Sequence, residues 1–207
     1  GEAFTFRGVR YETMHLRDVL AGATIGAGSF NADSRGRWYI NLPIEVPEAT
    51  SASITHVGID LGLKDLATLS TGEKIAAPRF YRASEARLAT AQRARKTKRA
   101  RAIHAKAANR RRDFLHQQSA RIVKDHGLII VGNVNASKCA RTTMAKSVLD
   151  AGWSAFRAML RYKARLRGGG ACLEVSEHLS TQTCSECGAV PASRPRGIAG
   201  LRERMWR

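Results

Sequence analysis

The sequence lacks any apolar run long enough to cross a membrane. No stretch reaches the roughly 18 consecutive apolar residues that a spanning helix needs. No charged stretch followed by an apolar one opens the chain as a signal peptide would. We therefore expect no membrane-spanning segment and a cytoplasmic, nucleic-acid-associated protein. The chain also begins at Gly1 without a methionine, which predicts a fragment of a longer protein.

Acidic residues are scarce. The 207 residues include 17 Asp and Glu against 35 Lys and Arg, so the formal net charge at pH 7 is +18. Because 43% of the residues are apolar and only 25% are charged, the chain can bury a core, which excludes wholesale disorder. A charge excess of this size predicts a polyanionic partner, and nucleic acid is the default.

Glycine loops for nucleotides and disulfide-rich patterns are absent as well. Gly26-Ala27-Gly28 lacks the third glycine and the following helix of a dinucleotide site, and no Gly-Lys-Ser or Gly-Lys-Thr sequence occurs. Only four cysteines are present, and two of them form Cys184-Ser185-Glu186-Cys187. This usage favours a reducing compartment and a metal site over disulfides.

The positive charge is concentrated in one segment. Between Arg79 and Lys124 there are fifteen Lys and Arg residues but only two acids, Glu85 and Asp113. The segment contains no Gly or Pro and is rich in Ala, Arg, Lys and Gln, which are strong helix formers. We therefore predict a basic helical hairpin over residues 80–126.

One face of this hairpin, which should bend near Lys96-Thr97-Lys98, is apolar: Ala100, Ile103, Ala107 and Phe114 recur at helical spacing. The remaining basic surface is either a solvated face without a partner or a site for phosphates, and the scarcity of acids favours phosphates. No base-reading motif accompanies it, so we expect backbone-directed binding. The predicted nucleic-acid-binding residues are Arg93, Arg95, Lys96, Lys98, Arg99, Arg101, Lys106, Arg110, Arg111 and Arg112.

The rest of the chain alternates between predicted strands and helices. Candidate strands cover 3–6, 37–46, 55–61, 66–69, 73–75, 127–131 and 171–175. A helix is predicted from about Thr143, with Leu149, Trp153, Phe156 and Leu160 on one face. The order β-β-β-α-β-α-β after residue 54 predicts an α/β sheet with hairpin and crossover connections.

Two groups of residues could carry chemistry. Asp60 closes a predicted strand, and a carboxylate at a strand tip can bind Mg²⁺ when other carboxylates converge on it, although alone it is more often a turn residue. Cys184 and Cys187 supply half of a tetrahedral zinc site, and free thiols or a redox pair are the alternatives. Cys172 and His178 are further candidate zinc ligands.

Three motifs occur together in this chain. They are Val57-Gly58-Ile59-Asp60-Leu61-Gly62-Leu63-Lys64-Asp65-Leu66-Ala67, Asp150-Ala151-Gly152-Trp153 and Thr181-Gln182-Thr183-Cys184-Ser185-Glu186-Cys187-Gly188. In combination they resemble the TnpB/OrfB family of transposon-encoded proteins, which are RNA-guided DNA nucleases. The resemblance implies DNA and a guide-type RNA as partners.

The resemblance also implies an α/β fold in three parts. The first is a partial, β-rich, wedge-like region over residues 1–54. The second is an RNase H/RuvC-like mixed sheet over 55–180, with the basic helical hairpin as an insertion at 80–126. The third is an incomplete zinc ribbon over 181–207, which holds only the first Cys-x-x-Cys.

The family implies three catalytic acids, and only the first, Asp60, carries over to this sequence. The second is a Glu at the end of the fourth core strand, and that position holds Gly132 here. The third acid and the second Cys-x-x-Cys would lie beyond Arg207. We therefore expect Mg²⁺ only if the protein is active, weak or partial Zn²⁺ binding through Cys184 and Cys187, and nucleic-acid binding without DNA cleavage.

Two alternatives stay open. The chain is a competent Mg²⁺-dependent endonuclease if a further C-terminal part completes it and Asp125, Asp150 or Glu174 replaces the second acid. Otherwise it is a structural RNA-binding protein of ribosomal type, which would explain the charge but not the surroundings of Asp60. Cleavage assays with Mg²⁺ distinguish the endonuclease from the binding protein.

Overall fold

The computed structural model describes residues 3–12, 24–45, 53–134, 145–167 and 170–176. The N-terminal region forms two short antiparallel hairpins. Their strands are β1 (Ala3–Phe6), β2 (Val9–Glu12), β3 (Ser29–Ala32) and β4 (Trp38–Asn41). The two hairpins meet at the rings of Phe6 and Phe30, whose centroids lie 5.2 Å apart. The β-rich character of this region is as predicted, but β2 and β3 were not expected.

The predicted strand at 37–46 is shorter in the structure. β4 ends at Asn41, and within the described residues up to Glu45 the further pairing is an isolated bridge of Ile44 with Ile25; Val46 lies outside the described residues. Pro43 explains the interruption because it has no backbone N–H to donate to a neighbouring strand. Its carbonyl still accepts a hydrogen bond from the Gly26 N–H at 2.9 Å.

A five-stranded mixed sheet forms the centre of the described region. Its strands are β5 (His56–Leu61), β6 (Asp65–Leu69), β7 (Lys74–Ala76), β8 (Leu128–Gly132) and β9 (Ala171–Val175). They are ordered β7-β6-β5-β8-β9. β6 is antiparallel to both of its neighbours, whereas β8 is parallel to β5 and to β9. The mixed α/β sheet is as predicted, and each strand lies within one residue of its predicted bounds.

Four helices accompany the sheet within the described ranges. They are α1 (Glu85–Arg93), α2 (Thr97–Asp125), α3 (Ala145–Ala151) and α4 (Trp153–Leu166), and a short 3-10 turn at Arg82–Ser84 precedes α1. Among the described helices, none is long and apolar enough to cross a membrane. The main core forms where α2 and α4 meet the sheet, with Leu115, Ile122, Phe156 and Leu160 buried against alternate residues of β5 and β8.

The predicted helical hairpin is confirmed as α1, a tight turn and α2. The turn comes at residues 94–96, where Arg95 adopts a positive φ of 51°. Leu88, Ala91 and Ile103 form a small second core between the two helices, separate from the main one. Of the predicted apolar stripe, Ile103 and Ala107 are buried, and Ala100 and Phe114 are partly buried.

The predicted helix from Thr143 is divided in the structure, and Thr143 itself lies outside the described residues. Gly152 separates α3 from α4 and has a left-handed φ of 70°. This break changes which residues face the core: Trp153 and Phe156 are buried as predicted, but Leu149 is 66% exposed. The placement of Leu149 on the apolar face was therefore wrong, because the spacing assumed one continuous helix.

Candidate nucleic-acid interface and metal-binding edge

Asp60 lies near the carboxyl end of β5, the central strand of the sheet. In the parallel β5–β8 register Ile59 pairs with Val131, which places Asp60 beside Gly132, as the sequence predicts. On the other side Asp60 pairs with Thr68 of β6, and its side chain is exposed. Matching positions of neighbouring strands face the same side of a sheet. The position next to Asp60 therefore has no side chain where a second carboxylate would lie.

The turn that follows Asp60 is held by Trp153. This buried residue opens α4, and its indole N–H donates a hydrogen bond to the Gly62 carbonyl at 3.2 Å. Gly152 allows this approach because its left-handed φ turns the chain sharply between α3 and α4. The α3–α4 junction is thus fixed to the same edge of the sheet as Asp60.

Asp150 fixes the segment that leaves β7. Its buried carboxylate accepts hydrogen bonds from the Tyr81 N–H at 2.9 and 3.0 Å and from the Arg82 N–H at 3.4 Å. The Arg111 guanidinium lies 3.5 Å away from the same carboxylate. Both oxygens therefore have partners, as a buried charge requires. In this position Asp150 anchors structure, and it does not fill the gap beside Asp60.

The other two candidate replacement acids face elsewhere. Glu174 on β9 pairs with Val131 in the sheet and forms ion pairs with Arg157 at 3.4 Å and with Arg161 of α4, on the helix-covered face. Asp125 ends α2 at the opposite edge, where its carbonyl accepts a hydrogen bond from Thr55 Oγ1 at 2.6 Å. Neither carboxylate is positioned beside Asp60.

Metal ligands are few in the part of the chain that the structure describes. Within it, no group of three or more His, Cys, Asp and Glu side chains could hold a metal ion. Asp60 offers a single carboxylate, so this edge does not fit the several oxygen ligands that two-metal phosphodiester chemistry needs.

The predicted zinc ligands Cys184 and Cys187, and the further candidate His178, lie outside the described residues. Cys172 is described, and it is partly buried on β9. Burial raises the pKa of its thiol, which disfavours the thiolate form that zinc binds. Cys172 is thus a poor zinc ligand where it stands.

Nine of the ten predicted nucleic-acid-binding residues are exposed on the helical hairpin, and we call them the hairpin cations. They are Arg93, Arg95, Lys96, Lys98, Arg99, Arg101, Lys106, Arg110 and Arg112. None of them forms an ion pair with a carboxylate in the described ranges. Arg111 differs from the nine because its partly buried guanidinium lies beside Asp150.

The two acids of the basic segment do not neutralise the hairpin cations. Glu85 contacts Lys146 of α3 at 2.6 Å and Arg82 at 3.3 Å, and these hydrogen-bonded cations hold the pKa of its carboxyl below the ordinary value. Asp113 accepts a hydrogen bond from the Gln117 side chain at 2.9 Å. The cations at the bend and along α2 therefore keep an uncompensated field that attracts anions.

Two family models match parts of the chain. A family model described as probable transposase (OrfB_IS605) matches residues 39–143, which run from the second residue of β4 through β8 and include the helical hairpin. A second model, described as the TNB domain of Cas12f1-like proteins, matches residues 153–207. The chain belongs to the OrfB_IS605 family of probable transposases, which confirms the resemblance found in the sequence.

Two curated relatives are similar over most of the chain. A Streptomyces pristinaespiralis protein named "Putative RNA-guided DNA endonuclease" is 33% identical, over 92% of this chain and 50% of its own length. An Escherichia coli (strain K12) protein named "Putative RNA-guided DNA endonuclease InsQ" is 32% identical, over 76% of this chain and 46% of its own length. The chain thus spans about half the length of these relatives.

A solved structure, the cryo-EM structure of the Cas12f1–sgRNA–target DNA complex, is also similar. It aligns with a TM-score of 0.47 and 17% sequence identity, over 74% of this chain and 43% of the Cas12f1 chain.

Proposed function

We propose that the chain is a nucleic-acid-binding protein of the transposase family that has a RuvC-like core and does not cleave DNA by itself. The RuvC-like assignment is supported by the mixed sheet and by the position of Asp60, an acid on the central strand immediately before a hairpin. An RNase H-like fold has its first metal carboxylate at this place. The partners we propose are DNA and a guide-type RNA, because both curated relatives carry the name RNA-guided DNA endonuclease.

The hairpin cations are the observation that carries the binding proposal. Nine exposed basic side chains on one antiparallel helical pair, without carboxylate partners among the described residues, repel one another in the free protein. Binding to the phosphate groups of a nucleic acid relieves this repulsion. It also releases the counterions condensed on the nucleic acid, which favours binding at low salt. No base-reading motif accompanies these side chains in the sequence, so we expect contacts to the phosphate backbone and binding that depends little on sequence.

The absence of cleavage is proposed from the neighbour of Asp60. Gly132 takes the place next to it in the register, so one carboxylate stands where two-metal catalysis needs several. The carboxylates of Asp150 and Glu174 have other partners, and Asp125 lies at the end of α2 at the opposite edge of the sheet, so none of the three supports a replacement.

A partial Zn²⁺ site at Cys184 and Cys187 belongs to the same proposal. Two cysteines leave two positions of the tetrahedron for water or another ligand, so the affinity should be lower than that of a closed structural site. Stoichiometric zinc that survives dialysis against a chelator would contradict this part.

Binding of a labelled RNA and a labelled single-stranded DNA across a salt series tests the main proposal. The hairpin variant replaces six of the hairpin cations with Gln, namely Arg93, Arg95, Lys98, Arg99, Arg110 and Arg112. If all six contact phosphates, the slope of log K against log salt should decrease in magnitude by about four for a single strand.

A control variant removes the same charge from exposed positions elsewhere. It replaces Arg7, Arg10, Arg37, Lys74, Arg165 and Arg167 with Gln. We expect a much smaller loss of affinity and slope in this control. Equal losses in both variants would mean that only the net charge attracts nucleic acid, and an unchanged hairpin variant would make the hairpin a solvated face.

A further inference from the structure

A cavity of about 430 Å³ opens at the same edge of the sheet as Asp60, and we call it the edge pocket. It lies between the β5–β6 turn, the segment after β7, the middle of α2 and helix α3. Its volume falls within the range of roughly 300–1,000 Å³ that is common for small-molecule sites. Neither the hairpin cations nor the gap at Gly132 contributes to it.

The wall of the edge pocket is largely apolar and aromatic. Leu66 and Leu115 are buried residues of the wall, and Phe80 and Phe114 are partly buried. The two rings contact each other edge to face, with centroids 6.2 Å apart and an interplanar angle of 72°. Both rings also line the cavity, so a flat unsaturated ring system could stack on the ring surface that faces it.

The rim of the pocket is cationic. Lys64 and Arg79 are exposed at it, and neither has a carboxylate partner in the described ranges. The one carboxylate of the lining, Asp150, is buried and already satisfied by Arg111 and by two backbone N–H groups. The rim thus attracts an anion while the interior favours an apolar or aromatic group.

The pocket is held open by its own structure. Arg79 has a positive φ of 51°, an uncommon conformation for a residue other than glycine, and it is followed directly by Phe80. The Asp150 hydrogen bonds to Tyr81 and Arg82 hold this segment in place. Trp153 fixes the turn on the opposite wall through its bond to Gly62. Strain of this kind at a cavity is a feature of binding sites.

We infer that the edge pocket binds one unpaired nucleotide of a nucleic-acid strand. The base lies against Phe80 and Phe114, and the adjoining phosphate lies at Lys64 and Arg79. An aromatic interior with a cationic mouth matches a nucleotide better than a free phosphate, which would leave the apolar wall unused, or an apolar side chain, which would leave the cations unused. This inference rests on the proposed nucleic-acid binding and adds a site for a single nucleotide between the β5–β6 turn, the segment after β7 and helices α2 and α3.

Fluorescence of 2-aminopurine placed in the middle of a single-stranded oligonucleotide tests the inference. Stacking on an aromatic side chain changes the emission of this base, so binding to the protein should give a saturable signal. A DNA strand and an RNA strand of the same sequence are compared, because the nucleotide chemistry is shared and either strand could supply it. A gel or anisotropy measurement on the same samples reports total binding.

Two pocket variants distinguish the contribution of the base contact to binding from that of the phosphate contact. Phe80→Leu should abolish most of the fluorescence change and weaken binding about tenfold, since stacking on an aromatic ring contributes on that order. Lys64→Gln with Arg79→Gln should weaken binding and reduce the salt slope by about one to two. The matched controls are Phe30→Leu, an exposed ring of the N-terminal hairpins, and Arg10→Gln with Arg37→Gln.

The outcomes distinguish this inference from the proposed function. If the pocket variants behave like their controls while the hairpin variant loses binding, the edge pocket is not a nucleotide site and the proposed function stands. If the wild-type chain binds neither strand, both are overturned. Loss of the fluorescence signal in Phe80→Leu, with total binding that is about tenfold weaker but still measurable through the hairpin cations, supports the inference.

Discussion

Individual side chains from Asp150 to Trp153 tie together segments that are distant in the sequence. Asp150 holds the backbone at Tyr81, and Trp153 holds the turn at Gly62. Gly152 makes both contacts compatible because its left-handed φ redirects the chain between the two residues. The motif was visible in the sequence, but these two contacts were not, since Tyr81 lies 69 positions from Asp150 and Gly62 lies 91 positions from Trp153.

The indole N–H of Trp153 gives a prediction at this scale. In Trp153→Phe the Gly62 carbonyl loses its donor and the smaller ring leaves a space in the core. The free energy of unfolding should decrease by about 1–3 kcal/mol, which chemical denaturation can measure. Trp38→Phe is the matched control, because Trp38 is 75% exposed and its replacement should change stability by less than about 0.5 kcal/mol. Equal effects in the two variants would show that the bond to Gly62 does not hold the turn.

At the scale of elements, the helical hairpin is attached to the protein by only part of its length. Leu115 and Ile122 anchor the second half of α2 in the main core. The outer part depends on the small core of Leu88, Ala91 and Ile103. Few buried contacts mean a low free energy of local opening, so α1 and the start of α2 should open without unfolding the sheet.

Hydrogen exchange of an Ile103→Ala variant tests this division. Removing the largest side chain that α2 contributes to the small core should cost the outer hairpin about 2–5 kcal/mol of local stability. Amides of residues 85–104 should then exchange faster, while those of β5 and β8 keep their protection. Leu115→Ala is the comparison, because it lies in the main core and should accelerate exchange in the sheet as well. Loss of protection in β5 from Ile103→Ala would contradict the separation of the two cores.

For the molecule as a whole, the elements that could be predicted from the sequence are those marked by apolar periodicity and by turn residues. The strands of the sheet were recognisable from continuous or alternating apolar residues next to Gly and Ser turn signals. The strands β2 and β3 were not predicted, because all their residues are exposed and the strands therefore show no alternation of buried and exposed positions. Leu149 was misplaced because a helical spacing does not reveal a break at Gly152.

In the candidate site, too, contacts that depend on tertiary packing could not be predicted from the sequence. Asp60 and Gly132 were recognisable from strand ends and family motifs, and the register brings them together. Arg111 could not be told from its basic neighbours, because its partner Asp150 follows 39 positions later and only tertiary packing selects it. The edge pocket was also invisible in the sequence, since four separate segments of the chain form it.

The last prediction concerns the edge of the sheet that holds Asp60, where a second carboxylate can be introduced beside it. In Gly132→Glu, two acids on neighbouring parallel strands face the same side of the sheet and can share one divalent cation. The affinity for Mn²⁺ should rise at least about tenfold over the wild type, because ligand charge dominates binding at such sites. Isothermal titration calorimetry measures this directly, without any need for activity. Cleavage of DNA should stay absent, since two carboxylates do not organise a pair of metal ions.

Gly132→Gln is the matched control, because it adds nearly the same volume without the charge and should leave Mn²⁺ affinity unchanged. Asp60→Asn in the Gly132→Glu background should return the affinity to the wild-type value, since the shared ion then loses one of its two acids. If Gly132→Glu binds no better than Gly132→Gln, the two positions do not face one ion and the RuvC-like assignment of this edge fails. If the unaltered chain cleaves DNA with Mg²⁺ and guide RNA, and Asp60→Ala abolishes that activity, the proposal of a binding protein without cleavage is wrong. In that case a further carboxylate from outside the described residues must complete the site.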